Sequence, residues 1–454
     1  MFKRYQQLHF VGIGGVGMSG IAEVLLNLGY RISGSDLRPS AATRRLKQRG
    51  ARLHYGHLAA HVGAAHVVVV SSAVAVSNPE VVEARRRGIP VVQRAEMLAE
   101  LMRLKYGIAV AGTHGKTTTT SLIAAVLATG RLDPTIIIGG RVNAWRTNAR
   151  LGKGEFLVAE ADESDRSFLR LDPTIAVITN IDREHMENYR DFDDVRQAYR
   201  SFAERAPFYG TAVCCADHPE TMALAQRLSR PVVTYGVNVA ADYMARNIRA
   251  RAERLHFEVL YRNKVLGNAQ LRMPGRHNVG NALAAIAVGH FLEIPFRTIV
   301  RGLARFRGIE RRFQILRRQA PIVVSDYAHH PVELAATIRA AREGWPEKRV
   351  IVVHQPHRYS RLQALFRDFV EVLAGVDGLV LMRLYEASER PIPGVSTRRL
   401  WGALRRRRPE LAVRYAESPQ KVLELTRRLV TRDAIVLFLG AGDISKVAAE
   451  FVKA

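Results

Sequence analysis

Short apolar runs alternate with amphipathic helical patterns along almost the whole chain, and this alternation restricts the fold more than any other feature. A short apolar run followed by a helical pattern is typical of a buried parallel strand and its crossover helix. At 454 residues the chain is also too long for one core. We therefore predict an α/β protein of three domains, with limits at 1–106, 107–314 and 315–454.

Several classes of protein are disfavoured by simple counts. No apolar run reaches the roughly 18 residues of a transmembrane helix, and the glycine-broken N-terminal run is not expected to be a signal peptide. The two cysteines, Cys214 and Cys215, are adjacent, so neither a disulfide framework nor a cysteine-based metal site is expected. We expect a cytoplasmic protein without membrane insertion.

The formal net charge of +26 has two interpretations. One is a nucleic-acid or anionic-membrane partner, and the other is a set of arginines spread over solvated faces, a few of which serve phosphate-rich substrates. The arginine runs at 85–87 and 405–408 lie in amphipathic patterns without interleaved aromatic residues that could stack on bases. This favours the second interpretation, with no nucleic-acid partner.

The first glycine loop, GIGGVG, contains Gly12, Gly14, Gly15 and Gly17 in G-x-G-x-x-G spacing, directly after an apolar run and before a helical pattern. Asp36 ends the next predicted strand. This context predicts a diphosphate site, because the glycines allow backbone N–H groups to approach the anion at a helix N-terminus.

The identity of that diphosphate stays open at this point. A nicotinamide cofactor with Asp36 on its ribose is the usual occupant, but the next domain brings a second nucleotide loop in place of dehydrogenase residues. Ser71, Ser72 and Asn78 lie at the C-terminal end of the predicted strand at 66–73 and are either ligand-binding residues or ordinary turn residues.

The second loop, GTHGKTTTT, spans 112–120 and is shorter than a standard P-loop, with Val110 where a glycine would be needed. Lys116 and Thr117 still fall in the first helical turn, where an ammonium group can reach phosphates and a hydroxyl can reach Mg²⁺. The loop predicts binding of a nucleoside triphosphate. Its proposed contacts are Gly112, Thr113, Gly115, Lys116, Thr117 and Thr118.

Polar residues follow other predicted strands at the same edge of the sheet. Glu160 or Asp162 could supply a second ligand for Mg²⁺, and His185 could bind a metal or a phosphate. Further on, Asn278 and Asn281 precede an alanine-rich helix and could read a base edge. Arg311 or Arg312 could hold a terminal phosphate.

Taken together, these motifs resemble the Mur ligases of bacterial cell-wall synthesis. The resemblance covers essentially the whole chain and includes GIGGVGMSGIAE, SSAV, RAEMLAELM, GTHGKTTTT, EADESD, PGRHNVGNALAA, RRF, DYAHHP and QPHRYSR. It implies an N-terminal Rossmann-like domain that binds a UDP-sugar, a central P-loop ATPase-like domain, and a C-terminal Rossmann-like domain.

The resemblance also implies the reaction and its residues. L-alanine would be joined to the carboxylate of UDP-N-acetylmuramate through an acyl phosphate, with ATP and two Mg²⁺ ions (or Mn²⁺), by a monomer or weak homodimer. The glycine loop, Asp36, Ser71 and Ser72 would hold the UDP-sugar. Thr117, Glu160 and His185 would bind metal, and Lys116, His185 and Arg312 would be catalytic. Asn278, Asn281, Arg312 and Asp326 would contact ATP, and His329, Arg358 and Arg361 would receive L-alanine.

Four positions depart from the family pattern: Arg166, Ser325, Ala328 and Ser388. Arg166 follows EADESD where glycine is usual, which places an extra charge near the expected metal site. Three other functions explain only part of these motifs. A folate polyglutamylating ligase would lack the first glycine loop, a dehydrogenase would leave the second loop unused, and a basic binding protein would explain only the charge.

Overall fold

The computed structural model describes residues 5–71, 73–142, 147–387 and 389–453. Within these ranges the strands form three sheets of five, ten and six strands, most of them paired in parallel and connected by helices. The prediction of an α/β fold with three domains is confirmed, whereas the residue limits assigned to the domains stay predictions.

The first sheet is parallel and has the strand order β3-β2-β1-β4-β5. The chain reverses direction along the sheet at β1, so the loops after β1 and β4 border the crevice where open α/β sheets bind ligands. Its elements are β1 (Gln7–Val11), α1 (Val16–Asn27), β2 (Arg31–Asp36), α2 (Ala41–Gln48), β3 (Arg52–Tyr55), β4 (Val67–Val70), α3 (Pro79–Arg86), β5 (Val91–Gln93) and α4 (Arg94–Met102).

The second sheet has β6 near its middle, between β10 and β9, and both pairings are parallel. Its elements are β6 (Tyr106–Ala111), α5 (Lys116–Thr129), β7 (Thr135–Val142), β8 (Thr147–Arg150), β9 (Phe156–Glu160), β10 (Ile175–Ile178), α6 (Phe192–Ala203), β11 (Thr211–Cys215), α7 (Pro219–Ala225), β12 (Val232–Gly236), β13 (Tyr243–Arg251), β14 (Arg254–Tyr261), β15 (Lys264–Leu271), α8 (His277–Phe291) and α9 (Phe296–Arg305). The carboxyl ends of β9, β6 and β10 therefore lie side by side.

The predicted alternation of strands and helices fails at β13, β14 and β15, which follow one another without a helix. Two-residue turns connect them, and Ala252, Arg262 and Asn263 in these turns have φ of 50°, 47° and 63°. The strands carry many exposed arginines, so they lack the apolar signature of strands buried on both faces.

The third sheet has the order β16-β17-β21-β18-β19-β20, in which only the β16–β17 pair is antiparallel among the described pairings. β16 starts one residue before the predicted domain limit at 315. The elements are β16 (Gln314–Arg317), β17 (Ile322–Asp326), α10 (Pro331–Gly344), β18 (Arg349–His354), α11 (Tyr359–Ala364), α12 (Phe366–Ala374), β19 (Gly378–Met382), α13 (Thr397–Arg407), β20 (Val413–Ala416), α14 (Pro419–Leu429), β21 (Ala434–Leu439) and α15 (Ile444–Lys453).

The chain divides into two compact units. The first comprises the residues up to Asn247 together with Phe257–Ala269 and Gly280–Arg307, and the second comprises Ile248–His256, Gln270–Val279 and the residues from Gly308 onward. No helix in the described part of the chain combines the length and apolarity needed to cross a bilayer.

Candidate active site

The first glycine loop and Asp36 meet at the end of β1. Gly12 has φ +79°, and the N–H groups of Gly12 and Ile13 donate to the carbonyl oxygen of Ser35 at 2.9 and 3.0 Å. The Gly14 N–H donates to Asp36 Oδ2 at 2.7 Å. Asp36 thus holds the loop itself, while its predicted contact with a ligand stays a prediction.

Two further features complete the surroundings of this loop. A Cβ on Gly12 would lie 3.5 Å from Cβ of Ser71, so the end of β4 borders the loop, while Ser72 lies outside the described residues. Gly15 precedes α1 without a side-chain cap. Backbone N–H groups at such an uncapped helix start are suited to an anion.

The second loop is compressed against the end of β10. Gly112 and Gly115 have φ of +135° and +85°, and a Cβ on Gly112 would lie 2.0 Å from Thr179 Oγ1. Val110 is buried within β6, opposite Glu160 of β9. Position 110 therefore belongs to the strand, which explains why no glycine is needed there.

Lys116 begins α5 with its ammonium group directed back over the loop. Nζ donates to the Gly112 carbonyl at 2.5 Å and to Glu163 Oε1 at 2.7 Å. Burial lowers the pKa of Lys116, but the charges of Glu163, Asp162 and Glu160 outweigh burial and raise it. The lysine is therefore held as a cation at the position where the loop predicts phosphate.

Two hydroxyl groups of the threonine run form hydrogen bonds within the protein. The Thr119 hydroxyl donates to Asn281 Oδ1 at 3.1 Å, and the Thr120 hydroxyl donates to the Lys116 carbonyl at 2.8 Å. A Cβ on Gly115 would lie 2.8 Å from the same Asn281 oxygen. Asn281 is thereby brought against the second loop, as a neighbour of α5.

Glu160 and His185 extend this site onto the two strands beside β6. Glu160 ends β9, and its Oε1 accepts the Gly139 N–H at 2.7 Å. His185 follows β10 with φ +55°, and its ring nitrogens lie 4.0 and 3.7 Å from carboxylate oxygens of Glu184 and Glu187. Three neighbouring strand ends thus carry the predicted phosphate and metal residues.

The predicted metal ligands fit Mg²⁺ in their chemistry, although they form no closed cage. In the described ranges, no three or more His, Cys, Asp or Glu side chains converge on a metal position. Mg²⁺ usually takes one or two carboxylates from the protein and its remaining ligands from phosphates and water. The hydroxyl oxygen of Thr117 and the carboxylate oxygens of Glu160 are suitable ligand atoms for Mg²⁺.

Arg166, the departure expected to add charge beside the metal residues, has a different role. It takes φ +61°, in the left-handed region that favours glycine, and its guanidinium makes two hydrogen bonds to Asp194, one of them 3.2 Å from Nη2 to Oδ1. The guanidinium carbon also lies 5.0 Å from the centre of the Tyr189 ring. Its charge is thus neutralised on α6.

In the second unit, Arg311 and Arg312 both lie near Tyr327, with guanidinium carbons 4.7 and 5.3 Å from the ring centre. Arg311 Nη2 donates to the Gly440 carbonyl at 2.7 Å. The Arg311 guanidinium is therefore held by the main chain of the loop after β21.

Asp326, predicted to contact ribose, is buried at the end of β17. Its Oδ2 accepts the Phe313 N–H at 2.6 Å and its Oδ1 accepts the Ala328 N–H at 2.7 Å. Burial raises the pKa of Asp326 to about 6, although Arg312 and these N–H groups oppose the rise. Asn278 is also buried, and its Nδ2 donates to the Pro274 carbonyl at 2.7 Å.

The residues predicted to receive an amino acid lie together in the second unit. The rings of His329 and His357 are 5.7 Å apart, and Arg361 Nη1 is 3.4 Å from His357 Nδ1. Arg358 has φ +70°, and its Nε lies 4.0 Å from Glu389 Oε1. Burial, together with the charges of His329, Arg361 and Arg358, lowers the pKa of His357 to about 4.

Sequence reasoning overlooked several neighbours of these residues. Glu163 pairs with Lys116, Arg94 pairs with Asp162, and His357 stacks on Tyr385 with ring centres 5.5 Å apart. Glu163, His357 and Arg94 lie in the motifs EADESD, QPHRYSR and RAEMLAELM, so membership of these motifs was the available signal. Of the departures in the third domain, Ser325 is buried, Ala328 donates to Asp326, and Ser388 lies outside the described residues.

Models of three domains of one known protein family match this chain. The model of the Mur ligase family catalytic domain matches residues 7–106, that of the Mur ligase middle domain matches 110–289, and that of the Mur ligase glutamate ligase domain matches 311–442. The chain belongs to the Mur ligase family.

Individual relatives of this Mur ligase match it over nearly its whole length. A UDP-N-acetylmuramate–L-alanine ligase from Syntrophotalea carbinolica is 51% identical, with 98% of this chain and 97% of the relative covered. The enzyme of the same name from Koribacter versatilis is 52% identical over 100% and 98% of the two chains. The crystal structure of a UDP-N-acetylmuramate–alanine ligase from Thermotoga maritima superposes with a TM-score of 0.84 at 29% identity, covering 98% of each chain.

Proposed function

We propose that this Mur ligase joins L-alanine to the carboxylate of UDP-N-acetylmuramate at the expense of ATP, an early cytoplasmic step of peptidoglycan synthesis. The observation that carries the proposal is the 51% to 52% identity, over 98% to 100% of this chain, with relatives named for that reaction. The two nucleotide loops support it independently, because a ligase that uses a UDP-sugar and ATP needs two phosphate sites.

The reaction has two balanced steps. A muramate carboxylate oxygen attacks the γ-phosphorus of ATP, which forms an acyl phosphate and releases ADP. The L-alanine amine then attacks the acyl carbon and loses a proton, and inorganic phosphate leaves. Phosphorylation is needed because a carboxylate oxygen is otherwise too poor a leaving group.

We assign a separate group of residues to each substrate and to the metal ions. The first glycine loop with Asp36, Ser71 and Ser72 holds the UDP-sugar. Lys116 and Arg312 stabilise the transferred phosphoryl group. Thr117, Glu160 and His185 are the proposed ligands of two Mg²⁺ ions (or Mn²⁺), which neutralise phosphate charge when bound. Asn278, Asn281 and Asp326 contact the nucleoside of ATP, and the ligase acts as a monomer or weak homodimer.

Release of phosphate from ATP tests the proposal directly. With Mg²⁺, ATP and UDP-N-acetylmuramate, we expect L-alanine to support the highest kcat/KM. Glycine should be lower by about 10- to 200-fold, since one methyl group contributes about 1–3 kcal/mol of discrimination. Reactions without UDP-sugar or without amino acid are the controls. Phosphate release that UDP-N-acetylmuramate does not stimulate would rule the function out.

Replacing Arg358 by alanine should mainly weaken the use of L-alanine. We expect the KM for L-alanine to rise about 10- to 100-fold, as a charge-assisted hydrogen bond to its carboxylate contributes about 1.5–3 kcal/mol. The KM for ATP should change less than about twofold, because Arg358 is assigned no ATP contact. Arg367, exposed on α12, provides the matched Arg→Ala control. An unchanged KM for L-alanine would refute this amino-acid site.

A further inference from the structure

Arg94 contacts the segments that flank both nucleotide loops of the first unit. Its Nη2 donates to Asp162 Oδ2 at 3.3 Å, in the acidic segment after β9. On its other side, a Cβ added to Gly17 would lie 3.1 Å from Arg94 Nη1 and 3.6 Å from Nε. One guanidinium thus lies between the first turn of α1 and the acidic segment.

The backbone around Arg94 is well anchored. Arg94 is the first residue of α4, and the Gln93 N–H before it donates to Glu96 Oε2 at 2.8 Å, which forms a capping box. Ala95, Met97 and Leu98 behind it are buried. The Arg94 side chain is 21% exposed, so the guanidinium is held near both segments while one side remains accessible.

From Asp162 the contacts continue to the second loop. Asp162 Oδ1 accepts hydrogen bonds from the Ser164 hydroxyl and N–H at 2.7 and 3.1 Å. The next residue, Glu163, binds Lys116 at 2.7 Å. The position of the acidic segment therefore affects the position of the lysine that is proposed to contact ATP.

We propose that Arg94 is a positioning residue that couples the two nucleotide sites, so that UDP-sugar bound at the first loop strengthens binding of ATP at the second, and the reverse. The inference rests on the proposed function. A guanidinium has five N–H donors in a rigid fork, so Nη1 and Nε can serve a diphosphate beside Gly17 while Nη2 keeps Asp162. A ligand at either loop therefore favours the same guanidinium position, and the second ligand meets a side chain that is already in place.

Coupling of this kind is reciprocal and is measured as a ratio of dissociation constants. We would measure binding of a non-hydrolysable ATP analogue with Mg²⁺ by calorimetry, with and without saturating UDP-N-acetylmuramate, and then repeat the titration in the reverse order. In the parent protein we expect tightening of about tenfold in both orders, within the range usual for coupled sites. In Arg94→Ala the ratio should fall to about one while both ligands still bind.

Three variants separate coupling from a general structural effect. Arg94→Lys keeps the charge but offers no fork, so its ratio should also fall close to one. Arg103→Ala removes a more exposed arginine at the end of the same helix, where it pairs with Glu100 and Asp172, and should keep the parent ratio. The double variant Asp162→Asn, Arg94→Ala should lower the ratio no further than Arg94→Ala alone, since the two substitutions break the same Arg94–Asp162 contact.

The outcomes distinguish this inference from the function on which it rests. If UDP-N-acetylmuramate does not bind the parent protein, both fail. If both ligands bind but the parent ratio is one, or if Arg94→Ala keeps the parent ratio, only the coupling role of Arg94 is overturned.

Discussion

Replacing Lys116 by alanine is expected to lower kcat for phosphate release by about 1000-fold, because it removes a cation proposed to stabilise the transferred phosphoryl group. The same change should destabilise the protein. Lys116 neutralises the buried Glu163 carboxylate across 2.7 Å, and breaking a buried ion pair by removing one partner costs about 3–5 kcal/mol.

A second substitution separates these two effects. Glu163→Gln in the Lys116→Ala background removes the uncompensated charge, so the melting temperature should recover most of the loss while kcat stays low. Lys153→Ala, at an exposed lysine between β8 and β9, is the control and should change neither quantity. Recovery of kcat together with stability in the double variant would show that Lys116 is needed only for folding.

Glu80→Gln is expected to destabilise the first domain by about 3 kcal/mol at pH 7, from the linkage between a shifted pKa and stability. Glu80 is fully buried on α3; its carboxylate accepts the Ser35 hydroxyl at 2.6 Å and lies 3.0 and 3.2 Å from Nδ1 of His61 and His57. Burial raises the pKa of Glu80, but His9, Ser35 and His61 outweigh burial and lower it from 4.5 to about 2.

The sign of the pH dependence follows from that shift. A carboxylate whose pKa is lower in the folded protein stabilises it above the unfolded pKa, and this stabilisation is lost as pH falls from 4.5 toward about 2. The difference between parent and Glu80→Gln should therefore be full at pH 7 and should shrink over that range.

Hydrogen exchange of the β1 and α3 amides, followed by mass spectrometry, reports this local opening free energy. Glu83→Gln on the same helix, at a residue that pairs with Arg86 on the surface, serves as the control. Equal protection of the parent and Glu80→Gln at pH 7 would contradict a stabilising charge.

Local spacing was sufficient to predict both nucleotide loops. Gly14 and Asp36 are 22 residues apart, yet a strand, a helix and a second strand bring them into a hydrogen bond. The start of α5 at Lys116 was also predictable, because a glycine such as Gly115 can adopt the positive φ that a tight turn between a strand and a helix requires. The parallel pairing of β9, β6 and β10 then placed Glu160 and His185 beside the second loop.

Contacts between distant segments were not predictable in this way. Arg94 meets Asp162 across 68 residues, and Lys116 meets Glu163 across 47. The meander of β13, β14 and β15 was also missed, because these strands carry exposed charged residues and so form no continuous apolar run. Arg166 is instructive: its charge was expected near the metal residues, and Asp194, 28 residues away, neutralises it.

The sequence by itself determined the α/β class, the positions of the two glycine loops and the family, since each depends on short patterns of glycine, apolar and charged residues. Only the tertiary structure decided which groups bind one another: Arg94 with Asp162, Lys116 with Glu163, and the Glu80 carboxylate with the Ser35 hydroxyl. The physical reason is that the interaction between charges depends on distance and burial, which arise when strands far apart in the chain become neighbours in a sheet.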